Sequence, residues 1–328
     1  MLNLFRINSI FAFVCILLFT LVLRISPFFH PVTAIATPNT PLAQYFYYWF
    51  DLSAQFSFTQ YILASLLVFL QALLVHFMAS THTVLFKNSP MPALFFVIIN
   101  SIYPEQLFLS PQLIANTFLL FMLFRLFYLY ESESPLLLVF DAGLFLGFGL
   151  QFTYDVWIYL PFILTSIITL TSFSLRYLLI AIIGMLLPAY FVGILFYLTD
   201  QFGSFLQSFQ YSIQKNYFNP LQIDAKQMLP FTFMLIPLIR SIFNMQSNYF
   251  RNKVKTRRVQ LSIGVLFLFG LLSLVVENEG FKYALPFLAT PLSFLLANYF
   301  NSEKRFWFKE LLFFGILVSI ALIQFGVI

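Results

Sequence analysis

The chain alternates long apolar runs with short polar breaks. Segments such as LSIGVLFLFGLLSLVV are apolar on every side, which predicts α-helices and excludes the alternating strands of a transmembrane β-barrel. Several runs reach the roughly 20 residues that a helix needs to cross a bilayer. Read in order, eleven helices are expected, within a range of about 10 to 12. They cover Asn8 to Ser26, Gln60 to Ser80, Met91 to Tyr103, Gln112 to Tyr130, a run beginning at Pro135, Val156 to Phe173, a run from Arg176 to Thr199, Leu229 to Met245, Val259 to Val276, Tyr283 to Phe300, and Glu310 to Ile328. The third is short for a hydrocarbon core of about 30 Å, and it tilts little, thins the bilayer or forms a re-entrant hairpin. Kinks are expected at Pro161 and Pro188.

Two breaks are long. Phe28 to Phe58 contains the aromatic, amphipathic QYFYYWFDLSAQFSF, and Asp200 to Met228 contains FGSFLQSFQYSIQKNYF. Tyr and Trp gather where a helix meets the headgroup layer, so both read as interfacial helices, in the first and fourth outer loops.

Composition agrees with this pattern. The 328 residues are 61% hydrophobic and 9% charged, against about 25% charged in a soluble domain. The fold class is therefore an all-α polytopic membrane protein, with 1–328 forming a single transmembrane domain. The net charge of +5 reads as membrane topology, not as affinity for nucleic acid. Five bases crowd into Arg251 to Arg258, RNKVKTRR. Placed in the cytoplasm, they put the N-terminus inside and the C-terminus outside. Arg6, Lys87, Arg125, Arg176, Arg240, Lys304, Arg305 and Lys309 then fall inside with them, and only Arg24, Lys215, Lys226 and Lys282 fall outside.

Soluble-type catalysis has no support. The single Cys15 excludes an intramolecular disulfide, the three histidines His30, His76 and His82 lack metal-ligand spacing, and no GxSxG, Walker A or glycine-rich dinucleotide turn occurs. No cofactor is evident, and a divalent metal stays open. Asp141 lies one to two turns into the fifth helix. There it pairs with Arg125 or Arg176, or serves as a relay, and the lack of a second intramembrane acid favours pairing. Gly143, Gly147 and Gly149 permit close contact with another helix.

The outer side carries the richer set. Arg24, Asp51, Glu105, Asp155 and Lys282 all fall at similar depth. Such a group can hold an anionic headgroup on its bases and use a carboxylate as general base.

The run VFDAGLFLGFGLQFTYDVWIYLPFILTSIITL, from Val139 to Leu170, and the SLRYLLIAIIGMLLPAYFVGILFYL that follows resemble an uncharacterised multi-pass family, domain of unknown function 6427. The likeness extends to the MLNLFR start and to LIANTFLLFMLFRLF, and it implies the inner membrane of a Gram-negative bacterium. More loosely, the order of first helix, long outer loop with an acid, and helical hairpin is similar to GT-C-like glycosyltransferases that use polyprenyl-phosphate sugars. That resemblance makes residues 1–200 the GT-C-like module, followed by the loop 200–228 and four helices. It implies Asp51 as the base, Glu105 as a further carboxylate, and Arg24, Lys282 and Asp155 as substrate-binding residues. The implied partners are the lipid bilayer and a polyprenyl-phosphate-linked substrate. A lipid transporter or flippase, and a non-enzymatic subunit of an envelope complex, are the alternative readings.

Overall fold

A computed structural model describes residues 2–29, 38–50, 58–82, 88–171, 174–214, 225–276, 280–301 and 306–326. Among them are thirteen α-helices and no strand. They are α1 (Ile10–Leu23), α2 (Pro41–Trp49), α3 (Phe58–Thr81), α4 (Met91–Ile99), α5 (Pro111–Phe127), α6 (Pro135–Leu150), α7 (Tyr159–Leu170), α8 (Leu175–Leu198), α9 (Phe202–Gln214), α10 (Leu229–Ser247), α11 (Val254–Val276), α12 (Phe281–Phe300) and α13 (Phe306–Gln324). Six helical segments are long and apolar enough to cross a membrane: those of α1, α3, α8, α11, α12 and α13. Shorter apolar helices, α5, α6 and α7, pack among them. The protein is a multi-pass membrane protein.

Local chemistry sets the boundaries. Prolines 41, 111 and 135 open α2, α5 and α6 at a position where a missing N–H costs nothing. Ser110 Oγ accepts from Leu113 N at 3.1 Å and Ser9 Oγ from Ala12 N at 3.3 Å, capping α5 and α1. Pro161 stands in the first turn of α7 and not in mid-helix, so the kink expected there has no cause. Pro188 does lie inside α8. Helix α11 starts five residues earlier than its apolar pattern, because Lys255, Arg257 and Arg258 conceal its first turn.

Helices α12 and α4 occupy the centre. The α12 span is 89% buried, against 28% for α8, whose Leu179, Ile183 and Leu186 face outward. All nine residues of α4 are buried, so this helix is wrapped by protein and has no lipid face to match in length. The most extensive packing joins α6 to α8. Its cause is glycine: a Cβ at Gly143 would stand 2.2 Å from Ala181 O, one at Gly147 2.3 Å from Met185 O, and one at Gly184 2.5 Å from Phe140 O.

Hydrogen bonds sort the helix ends into two groups. At one end Arg6 Nη2 donates to Phe300 O at 3.2 Å, Lys309 Nζ to Tyr299 O at 2.7 Å and Arg258 Nη1 to Leu170 O at 2.9 Å. Arg125 pairs with Asp141 there at 3.3 Å, which is one of the two pairings expected for that acid. The opposite end holds the last turns of α1, α4 and α13 and the first turns of α3, α5 and α12. It also carries most of the expected site residues.

Candidate functional site

A single 3-10 turn, Pro104–Leu107, organises this end. Pro104 opens it and Tyr103 precedes it in extended conformation. Arg24 follows the last turn of α1, and its guanidinium is fully buried. It donates from Nη1 to Asn100 O at 3.0 Å and from Nη2 to Gln106 O at 2.8 Å. The first of these carbonyls ends α4, where the helix dipole is negative and a cation is favoured. Gln106 Nε2 donates in turn to Lys282 O at 3.0 Å, at the start of α12. Lys282 Nζ meets Glu105 Oε1 at 2.6 Å and stands 5.4 Å from the centroid of the Tyr103 ring. The Tyr103 hydroxyl donates to Gln227 O at 2.7 Å. Burial, and secondarily the Glu105 charge, raise the pKa of this phenol, so it stays a protonated donor.

Three of the five expected site residues, Arg24, Glu105 and Lys282, therefore converge on one turn. Around them lie four buried polar atoms that have no hydrogen-bond partner among the described residues: Arg24 Nε, Asn100 Oδ1, Ser101 Oγ and Glu105 Oε2. Buried polar groups are normally satisfied, because each orphan costs about 1–3 kcal/mol. Three of these orphans lie between Asn100 and Glu105, and the fourth is on the arginine that holds the same turn.

Asp155 belongs to a different turn, Tyr154–Ile158. It is buried in the turn between α6 and α7, where Thr153 Oγ1 donates to Oδ2 at 3.1 Å. Asp51 lies outside the described residues, two positions beyond α2. Among the described residues no three His, Cys, Asp or Glu side chains group as metal ligands.

Helix α2 ties the loops of this end together. Tyr47 donates to Leu109 O, just beyond the Pro104–Leu107 turn. Thr40 Oγ1 donates to Gln151 O at 2.6 Å, at the end of α6. Tyr45 donates to Gln201 Oε1, at the start of α9. The two amphipathic helices α2 and α9 thus meet, and Phe205 of α9 packs with Val192 and Phe196 of α8. The sequence pattern predicted both helices but not their contact, since about 150 positions separate them and no charge pair or motif links them. Between them opens a cleft of about 700 Å³.

A family model for a family of unknown function, DUF6427, matches residues 44–328. The chain belongs to the DUF6427 family. No curated protein matches it. Among solved structures, the archaeal oligosaccharyltransferase AglB from Archaeoglobus fulgidus, in complex with an inhibitory peptide and a dolichol-phosphate, aligns over 95% of this chain at 11% identity with a TM-score of 0.48. The chain spans about half of that structure, 51% of its length. A likeness at that level decides neither fold nor activity for this DUF6427 member.

Proposed function

We propose that the protein is a GT-C-like membrane transferase acting on a lipid-linked substrate at the periplasmic face of a bacterial inner membrane. The observation that carries this reading is the group of four unpartnered buried polar atoms around the Glu105–Lys282 ion pair. In this reading all eleven apolar helices cross the membrane, the basic residues of 251–258 lie in the cytoplasm, and the Pro104–Leu107 end faces the periplasm. The alternation of helix ends and the positive-inside bias support that orientation.

The chemistry follows from charge. Lys282 is less than a quarter exposed, so its attraction for a substrate phosphate is weakly screened. Arg24 fixes the turn through two carbonyls and adds its charge beneath the same site. Asp51 serves as the base and Glu105 as the second carboxylate. An acceptor hydroxyl loses its proton to Asp51 as its oxygen bonds to the anomeric carbon, and the polyprenyl phosphate leaves with the electron pair. Asp155, held by Thr153 in the α6–α7 turn, is the further substrate-binding residue of this reading.

The test is complementation of a deletion strain, scored by extraction of polyprenyl-linked sugars and envelope glycans. Asp51→Asn and Glu105→Gln are expected to be made at normal level and to fail to restore the glycan profile. Full restoration by both variants would overturn the reading.

A further inference from the structure

The cleft between α2 and α9 is separate from the charged turn and differs from it in kind. Its lining carries amides, hydroxyls and aromatic rings but no charged side chain among the described residues. Its volume, about 700 Å³, falls in the ~300–1,000 Å³ range of small-ligand sites.

Four polar members, Gln44, Tyr48, Gln201 and Gln207, keep capacity for a ligand. The Tyr45 bond occupies Gln201 Oε1 and leaves Nε2 to donate. Gln44 donates from Nε2 to Pro38 O at 3.2 Å and leaves Oε1 to accept. Gln207 and Tyr48 are exposed, and their side chains form no hydrogen bond among the described residues. Tyr48 is 83% exposed, and Trp49 beside it 80%. Large aromatic faces turned outward on a helix whose Ala43 and Tyr47 are buried are surplus to the fold's own packing.

The uncharged lining among the described residues sets the ligand class. A phosphate or carboxylate would call for Arg or Lys in the lining, and a cation for a carboxylate. A lipid tail would call for apolar walls. Carboxamides, which donate and accept side by side, match neighbouring hydroxyl groups, and an exposed tyrosine ring offers a flat apolar face with a polar tip.

The chain is also steered into this shape. Asp200 takes a left-handed conformation with φ 55° between α8 and α9. Its N–H donates to Tyr197 O at 3.2 Å, and the Gln201 N–H reaches back to Phe196 O at 2.9 Å, the paired bonds of a Schellman motif. That reversal sets Gln201 against Tyr45.

We propose that the α2–α9 cleft binds an uncharged saccharide, stacked on Tyr48 and hydrogen-bonded by Gln44, Gln201 and Gln207. This goes beyond the transferase reading and does not depend on it, since binding is measured without turnover.

The full chain is placed in phosphatidylcholine nanodiscs and probed with maltohexaose and chitohexaose by saturation-transfer NMR, with polygalacturonate as the anionic control. A second set of discs carries digalactosyl diacylglycerol, and retention of that lipid is read by native mass spectrometry. Tyr48→Ala is expected to weaken binding at least tenfold, Gln207→Ala several-fold, and Trp307→Ala on the distant α13 not at all. Tyr48→Phe keeps the ring and retains most of the affinity. Tyr48 is so exposed that its loss leaves the fold intact, which a thermal melt checks. Binding of the soluble oligosaccharides with this pattern supports a free glycan as the ligand. Binding confined to the glycolipid discs with the same pattern supports a lipid-borne sugar. No binding in either set, equal binding by Tyr48→Ala and Gln207→Ala, or preference for polygalacturonate overturns the proposal.

Discussion

The glycine seam between α6 and α8 offers the most direct quantitative test of the fold. An alanine at position 143 puts its Cβ 2.2 Å from the Ala181 carbonyl oxygen, and one at 147 lies 2.3 Å from that of Met185. Ordinary contact begins at 3.4 Å, and both obstacles are backbone, so no rotamer change relieves them. The helices must part locally by about 1 Å, which forfeits dispersion contacts along the seam. Overpacking of this kind costs about 1–3 kcal/mol. Positions 143 and 147 lie one turn apart on the same face, so one displacement accommodates both alanines. The double variant is therefore expected to cost less than the sum of the singles. Gly203 and Gly264 are the internal controls, with nothing within 4 Å of an added Cβ. There, alanine is expected to be neutral or to stabilise by up to about 1 kcal/mol through its helix propensity. Thermal melts of the detergent-solubilised protein, read by intrinsic fluorescence, rank the five variants. Melts of Gly143→Ala and Gly147→Ala that match Gly264→Ala would refute the close crossing.

Three further outcomes follow from other contacts. The Tyr103 phenol has its pKa raised in the folded state above the ordinary value of 10.0, so its stabilising contribution is complete below about pH 10 and declines above it as the unfolded chain ionises first. In pH-dependent melts Tyr103→Phe is expected to flatten that alkaline decline, and an unchanged slope would exclude the effect. At the α8–α9 turn, Asp200→Gly is expected to be neutral or stabilising, whereas Asp200→Val is expected to cost about 1–2 kcal/mol in left-handed strain; equal melts for the two would contradict the Schellman geometry. The Arg125–Asp141 pair is partly exposed, with side chains at 41% and 23%. Its double-mutant cycle with Arg125→Gln and Asp141→Asn is therefore expected to give about 1 kcal/mol or less, with glycan complementation intact. Loss of complementation in Asp141→Asn would instead favour a relay through the bilayer.

Apolar periodicity made the helices legible, because helices that face lipid or a helical core must be hydrophobic over their whole length. Each of the eleven expected runs has a counterpart in an observed apolar helix. Boundaries failed where charge lies inside a helix: Lys309 belongs to α13, which begins at Phe306, and Lys255, Arg257 and Arg258 belong to α11, which begins at Val254. Lys309 reads as loop charge, yet it is only 2% exposed, with its ammonium on Tyr299 O. Arg24 is the sharper case. A lone arginine after an apolar helix reads as a surface cation, and the carbonyls that bury it come from Asn100 and Gln106, far away in the chain. Counting crossings placed Arg24, Glu105 and Lys282 on one side, and the structure gathers these three around one turn. The count could not separate Asp155 from them, because depth carries no information about position around the bundle.

Helix α2 connects the two regions. At nine residues it is about 13 Å long. Tyr47, which reaches Leu109 beside the charged turn, and Tyr45, which reaches Gln201 in the uncharged cleft, are two positions apart on it. A lipid-linked saccharide has the same division, a phosphate next to uncharged sugar. One such molecule could lay its phosphate by Lys282 and its sugar against Tyr48, with α2 setting the spacing. The two proposals then make a joint demand. Tyr48→Ala should weaken binding of a phosphate-linked saccharide and of the free saccharide by similar factors, while Lys282→Met should weaken only the former. If Lys282→Met weakens the free saccharide as much, the two regions are one site, and their separation by α2 has no functional meaning.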